Sequence, residues 1–247
     1  MYLNSILLVL LFVFPPGDSF KDQQRKYPRV RQAYKEKEQV VNNILDRNAI
    51  KPNALRIYLR AFKRDKKIEL WAKNETDDQY KKIRDYNICR LSGQLGPKRR
   101  RGDYQIPEGF YHIDRFNPHS SFYLSLGLNY PNTSDRILGV KDNLGGDIFI
   151  HGACVTIGCL PITDNVIKEL YVFCVEAKNS GQDKIPVTVF PTELGDTNYR
   201  SLVQQYEPSK DKAGLWADLK QAYDHFNQSK QLPSIVFLSN GRHKVSL

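Results

Sequence analysis

Long hydrophobic runs are nearly missing from this 247-residue chain. The longest unbroken apolar stretch, Ile6 to Phe14, is too short to cross a bilayer comfortably, and it stops at Pro15-Pro16-Gly17. The mature chain is therefore expected to carry no transmembrane helix. Internal repeats and low-complexity tracts are absent too, which excludes a solenoid. Zinc-finger spacings, aromatic-basic stacking motifs and basic heptads are lacking, so nucleic acid is not the expected partner. That matters because the charge is +10 and the pI about 9.3, which calls for an anionic partner such as cell-wall polymer or a membrane surface. Cysteine is scarce: Cys89, Cys154, Cys159 and Cys174 are too few to act as a disulfide scaffold in a chain this rich in apolar residues. Whether Cys89, Cys154 or Cys174 pair is left open, and at least one thiol is available for chemistry.

The apolar run followed by Pro-Pro-Gly has the form of a secretory signal, although no Lys or Arg precedes it. Gly17 and Ser19 are small residues at cleavage spacing, which places the cut after Ser19 and the mature protein in the periplasm or cell envelope. No cysteine follows the run to take a lipid. A buried strand or an uncleaved anchor is the competing reading. Lys21 to Arg47 carries Val30, Ala33, Val40, Val41, Ile44 and Leu45 at helical spacing, an amphipathic helix laid on the outside of the domain. Leu55-Ile57-Leu59-Ala61 then alternates, Arg64 to Lys67 makes a polar turn, and Ile68 to Trp71 resumes, which predicts a hairpin. Tyr86–Leu91, Gly109–Asp114, Ser121–Leu128 and Val187–Phe190 are further strands, and Lys98-Arg99-Arg100-Arg101 reads as a solvated loop. Asn129 to Ser134 supplies turn chemistry. Asp147 to His151 is expected as a central strand with Phe149 and His151 on one face. A helix capped by Thr163 runs to Ser180-Gly181, with Cys174 in its apolar stripe. Leu215, Trp216, Leu219, Ala222, Tyr223 and Phe226 mark another, and Asn240-Gly241 a terminal hairpin. The fold class is α+β, with a mixed or antiparallel sheet and peripheral helices. The division expected is a signal over 1–19, an N-terminal helix over 20–53, a catalytic domain over 54–195 and a helical extension with a hairpin over 196–247.

Chemistry concentrates in His151-Gly152-Ala153-Cys154-Val155-Thr156-Ile157-Gly158-Cys159. A histidine ending a strand and a cysteine following glycine are the parts of a thiol acyl-transfer site: the imidazole takes a proton near neutrality, and glycine turns amide N–H groups toward an oxyanion. Three other readings share these residues: a Cys154–Cys159 disulfide, a zinc site of His151 with both cysteines, and plain core packing.

The segment resembles the signature of the L,D-transpeptidase catalytic domain family (YkuD domain), in which a His-Gly step precedes Ser/Thr-x-Gly-Cys; Thr156-Ile157-Gly158-Cys159 matches the second step. The short interval between the steps is similar to the YafK-like branch, as are Pro107 to Tyr111, Arg115 to Pro118, Leu124 to Asn132, Ser134-Asp135-Arg136 and Gly145 to Ile148. One departure is Leu160-Pro161 after the cysteine, where many members carry Arg or Asn two positions on. The resemblance implies Cys159 as nucleophile, His151 as proton donor and acceptor, the amides of Gly158 and Cys159 as oxyanion donors, and Gly152 and Thr156 as motif support. It implies a cysteine-dependent acyltransferase with no metal or organic cofactor. Its partners would be peptidoglycan stem peptides, with a wall-linked lipoprotein as a further one. Arg115, Arg136 and Lys141 are candidates for steering substrate carboxylates. A hydrolase or amidase using the same dyad, and a non-catalytic wall-binding protein, are the alternative functions.

Overall fold

The computed structural model describes residues 18–206 and 210–246, so the apolar run Ile6 to Phe14 and Leu247 lie outside the described residues. Strands β1 (Leu55–Phe62) and β2 (Lys67–Asn74) form the expected hairpin, in register from Leu55↔Asn74 to Phe62↔Lys67. The other strands of the main sheet are β3 (Lys81–Asn87), β4 (Gly109–Asn117), β5 (Ser125–Leu128), β6 (Phe149–His151), β7 (Leu160–Pro161) and β8 (Ile185–Phe190). Their order is β3-β2-β1-β8-β4-β5-β6-β7. The β1–β8 and β6–β7 pairs run parallel and the rest antiparallel, which makes the sheet mixed and the fold α+β.

Alternation in β1 builds two cores at once. Leu55, Ile57, Leu59 and Ala61 face one layer, where α4 (Asp164–Asn179) and α2 (Pro28–Arg47) lie, while Tyr58 and Phe62 face the other. That second layer is α6 (Lys210–Ser229), with Leu215, Trp216, Leu219 and Phe226 buried on the sheet. The large residues that interrupt the apolar alternation in β1 are thus core residues of the second face. Arg60 shares this face and is enclosed by the rings of Phe62, Trp71, Phe190, Tyr223 and Phe226 at 4.8–5.9 Å.

Several boundaries differ from the sequence expectation, each for a local reason. The N-terminal helix is two, α1 (Phe20–Arg25) and α2, because Pro28 starts a new helix at its N1 position. β3 begins at Lys81 rather than Tyr86; it is an edge strand whose Lys81, Lys82, Arg84 and Asp85 conceal the alternation. Only Ser125–Leu128 of the Ser121–Leu128 stretch is strand. The turn after it contains a short helix, α3 (Thr133–Leu138), opened by a reciprocal Asn132 and Asp135 capping box. A further helix, α5 (Asp196–Gln205), also went unseen in the sequence. β6 is not central: it lies one strand from the edge, and its apolar character comes from being flanked by β5 and β7. The terminal hairpin is β9 (Ser234–Phe237) with β10 (His243–Ser246). Asp218 of α6 holds it in place. Burial alone would raise this carboxyl, but hydrogen bonds from Arg242 and His243 hold it at about 2.

The basic loop ahead of β4 is anchored from below. Lys63 Nζ donates to the carbonyls of Gln94, Gly96 and Ile106 at 2.9–3.0 Å and pairs with Glu108 at 2.9 Å. Glu108 also accepts from the Trp216 indole at 2.7 Å. Removing one partner from such a buried pair typically costs about 3–5 kcal/mol. Against the solvated-loop expectation Lys98 is buried and Arg99 half-buried, while Arg100 and Arg101 are exposed as expected.

Candidate active site

His151 is the last residue of β6 and Cys159 directly precedes β7, which pairs with β6 through Ile150↔Leu160 and His151↔Pro161. Carrying the alternation back one residue from the buried Leu160 puts Cys159 beside Phe149, on the His151 side of the sheet. Residues 152–158 close the loop between them, and each turn has a cause. A Cβ on Gly152 would stand 2.5 Å from Asp164 Oδ1 and 2.7 Å from the Phe122 carbonyl, so no larger residue fits there. Asp164, the first residue of α4, accepts the Ala153 N–H at 2.7 Å and fixes that residue at φ 58°. Gly158 has φ +141°, a conformation side chains rarely adopt.

Thr156 organises the Cys159 end of this loop. Its Oγ1 accepts from the N–H of Gly158 at 3.1 Å and of Cys159 at 2.8 Å, and donates to the Cys159 carbonyl at 2.8 Å. This corrects the expectation that those two amides stand ready as oxyanion donors: both are engaged by the threonine hydroxyl, because Thr156 Oγ1 sits inside the turn they form.

Cys89 and Cys154 are joined by a disulfide, and Cys159 and Cys174 are free. With Cys154 bonded to Cys89, neither a Cys154–Cys159 bridge nor a zinc site using both cysteines remains. Cys89 is tied in further by its N–H, which donates to the Pro161 carbonyl at 3.0 Å. Cys174 is fully buried in α4, and that burial pushes its thiol far above the ordinary range.

His151 is 1% exposed, with the Phe122 ring centred 4.6 Å from its own. Its Nδ1 lies 2.5 Å from the Gly152 carbonyl. A carbonyl only accepts, so this contact puts the ring proton on Nδ1 and leaves Nε2 as the basic nitrogen. Burial lowers the imidazole pKa below its usual value, partly offset by the Gly152 contact. The Cys159 thiol is pushed up, by burial first and by the Asp147 carboxylate; a backbone hydrogen bond from Phe149 and the Lys98 cation act the other way. At neutral pH the pair is thus a thiol and a neutral imidazole. The thiol donates to the Asp147 carbonyl at 3.6 Å, and no hydrogen bond joins it to His151 among the described contacts.

Cys159 opens onto a cavity of about 600 Å³, lined also by Lys98, Arg101, Tyr104, Gly145, Asp147 and Ile157. His151 is not on its wall. The structure thus brings both residues to one side of adjacent strands, with only the thiol exposed to the cavity. Of the three cations expected to steer carboxylates, Arg115 is paired with Asp114 and Asp147 at 3.0 and 3.1 Å, and neither Arg136 nor Lys141 lines the cavity. The cavity cations come from the basic run instead.

The description of the L,D-transpeptidase catalytic domain, YkuD, matches residues 56–189. The chain belongs to this family. This YkuD-family chain is 36% identical over 192 residues to YafK of Escherichia coli strain K12, a protein named provisionally as an L,D-transpeptidase; the match covers 77% of this chain and 74% of YafK. Among solved structures, the helical cell shape determining protein Pgp2 of Campylobacter jejuni is 19% identical, with a TM-score of 0.44 over 74% of this chain and 73% of Pgp2. Bd1075 of Bdellovibrio bacteriovorus is also 19% identical, with a TM-score of 0.41 over 73% of this chain and 76% of its own. The matched 56–189 stretch of this L,D-transpeptidase-type domain holds both motif steps and the loop that carries Lys98 and Arg101. No described helix of it is long and apolar enough to cross a membrane.

Proposed function

We propose that the protein is an exported L,D-transpeptidase that forms or remodels peptidoglycan cross-links through a Cys159 thioester. The observation that carries this reading is a free thiol on the wall of a cavity of about 600 Å³, one strand from a buried imidazole whose Nδ1 is held by the Gly152 carbonyl. Cys159 turns from the Asp147 carbonyl toward Nε2 of His151, which takes the thiol proton as the sulfur attacks the carbonyl at the L-centre of the third stem residue. The tetrahedral anion forms near Lys98, whose positive field reaches Cys159. Collapse breaks the C–N bond, His151 returns the proton to the leaving amine, and the thioester remains. An amine from a second stem peptide then attacks it, His151 takes that amine's proton and hands it to the departing thiolate. In this reading Thr156 holds the nucleophile's backbone. The catalytic domain spans 54–195, flanked by the helix over 20–53 and the extension over 196–247.

The pH profile follows from the two shifts. His151 must be deprotonated to act as base, and burial lowers its pKa below 6.5, so acylation persists on the acid side of that value. The Cys159 pKa lies above 9.0, so a second rise appears only in alkaline solution, where the thiol ionises unaided. Acyl-enzyme formation on a defined stem tetrapeptide, followed by intact mass, tests this. Well-folded protein that never gains the acyl mass on Cys159 removes the mechanism, and an acid limb centred above 6.5 removes the assignment of His151.

For export, the expected mature end lies near Phe20. Ser19 caps α1 by accepting the Asp22 N–H at 3.2 Å, so a cut after Ser19 removes a cap of the kind usually worth about 1 kcal/mol. N-terminal sequencing of envelope protein decides the point, and an intact Met1 refutes cleavage.

A further inference from the structure

The strand order of the main sheet begins at β3 and ends at β7, yet the chain leaving β3 comes down on β7. The Ile88 N–H donates to the Lys66 carbonyl at 2.8 Å, which ties it to the β1–β2 turn, and the Cys89 N–H donates to the Pro161 carbonyl at 3.0 Å. The two ends of the sheet therefore meet in a seam. Among the described residues that second contact is the only backbone hydrogen bond between residues 81–90 and β7, and the Cys89–Cys154 disulfide is the covalent link beside it. β7 has little else on this side: it is two residues long, pairs with β6 through Ile150↔Leu160 and His151↔Pro161, and follows Cys159 directly.

In the loop between His151 and Cys159 the hydrogen bonds sit at the two ends. Asp164 holds Ala153 on the histidine side. On the other side the Thr156 hydroxyl bonds only to Gly158 and Cys159, so that turn is closed on itself. Cys154 and Val155 between them are exposed, and neither makes a hydrogen bond among the described contacts. The bridge is thus what fixes the middle of the loop to the seam. When it opens, His151 stays buried in β6, while the self-contained turn that carries Cys159 is free to shift against it. The exposure of Cys154 also leaves the S–S bond open to attack from solution.

Resting on the reading of Cys159 as the acylated nucleophile, we propose that the Cys89–Cys154 bridge is a redox gate: acylation is on in the oxidised protein and off once a dithiol has reduced the bridge. One thiolate of the dithiol attacks the exposed Cys154 sulfur, the S–S bond breaks, and Cys89 leaves as a thiolate that takes up a proton. The second thiolate then attacks the mixed disulfide and releases Cys154, which is protonated in turn, and the dithiol departs as its own disulfide. Two electrons pass from the dithiol to the bridge, and the two protons it loses end on Cys89 and Cys154. Cys174 takes no part, since it is fully buried in α4, and Cys159 remains a thiol throughout.

Acylation by a stem tetrapeptide is timed by intact mass before and after treatment of the full chain with tris(2-carboxyethyl)phosphine, which opens disulfides without adding a thiol that would attack the thioester. Reduction slows acylation about 10²-fold, the usual consequence of misplacing a reacting group by about 1 Å, and re-oxidation in air after desalting restores it. A Cys89→Ser/Cys154→Ser chain is slow from the outset and indifferent to the phosphine. Hydrogen exchange gives a second readout, in which reduction accelerates the amides of residues 152–161 more than those of α4. Equal acylation rates in both states, a loss that re-oxidation does not recover, phosphine sensitivity in the double variant, or an equal acceleration of exchange everywhere, as for a bridge that only adds global stability, overturns the proposal. Preferential loosening of 152–161 with no acylation in either state would instead refute the thioester reading and leave the redox-opened seam standing.

Discussion

Replacing Cys159 by serine abolishes acyl-enzyme formation, while Cys174→Ser keeps it at some cost in stability. A serine hydroxyl is a far poorer nucleophile beside an imidazole arranged for a thiol. Cys174 touches only the core of α4, where a new hydroxyl without a partner costs about 1–3 kcal/mol. His151→Ala lowers the neutral-pH rate by about 10²- to 10⁴-fold, the usual worth of general-base assistance. Its residual rate climbs with alkalinity as the Cys159 thiol, raised above 9.0 by burial, ionises in bulk solution. Intact-mass kinetics on variants checked by circular dichroism measure all three. Normal turnover in Cys159→Ser would show the wrong cysteine had been chosen, and a mild neutral-pH loss in His151→Ala would remove the base.

The second large effect is on stability. A Cys89→Ala/Cys154→Ala chain loses about 2–4 kcal/mol, because the bridge closes a loop with a sequence separation of 65 in the unfolded state. Cys154 also sits in the loop that joins His151 to Cys159, so the acylation rate falls along with stability. Urea unfolding of this variant, and of the parent with and without reductant, provides the measurement: equal midpoints in all of them would mean that the bridge contributes nothing.

The sequence made some of this legible because the relevant residues are neighbours. His151-Gly152 and Thr156 to Cys159 are one local segment, the β1–β2 hairpin has a short turn, and the α4 stripe has a plain helical period. What stayed hidden depends on long-range pairing. Cys89 reaches Cys154 only because the chain after β3 runs back to β7, and no local pattern signals that. Lys98 and Arg101 read as a solvated run; their place on the Cys159 cavity follows from the Lys63–Glu108 anchor and the pairing of 99–101 with 140–143. The engagement of the Gly158 and Cys159 amides turns on a single hydroxyl rotor at Thr156. α3 did have a signal, since Asn132 and Asp135 spell its capping box, but the preceding turn residues masked it.

Both ends of the sheet are closed to strand addition. On one side β3 presents Lys81, Lys82, Arg84 and Asp85; on the other, β7 is two residues long, Pro161 has no N–H to offer, and its carbonyl already accepts from Cys89. An extended peptide cannot dock here by lengthening the sheet, as it does in many peptide-binding domains. Affinity has to come from side chains around the cavity rather than from a backbone ladder, which makes recognition depend on what the peptide's ends and branches carry instead of on its ability to lie flat. The same closed edges guard against sheet-to-sheet aggregation between copies of the protein.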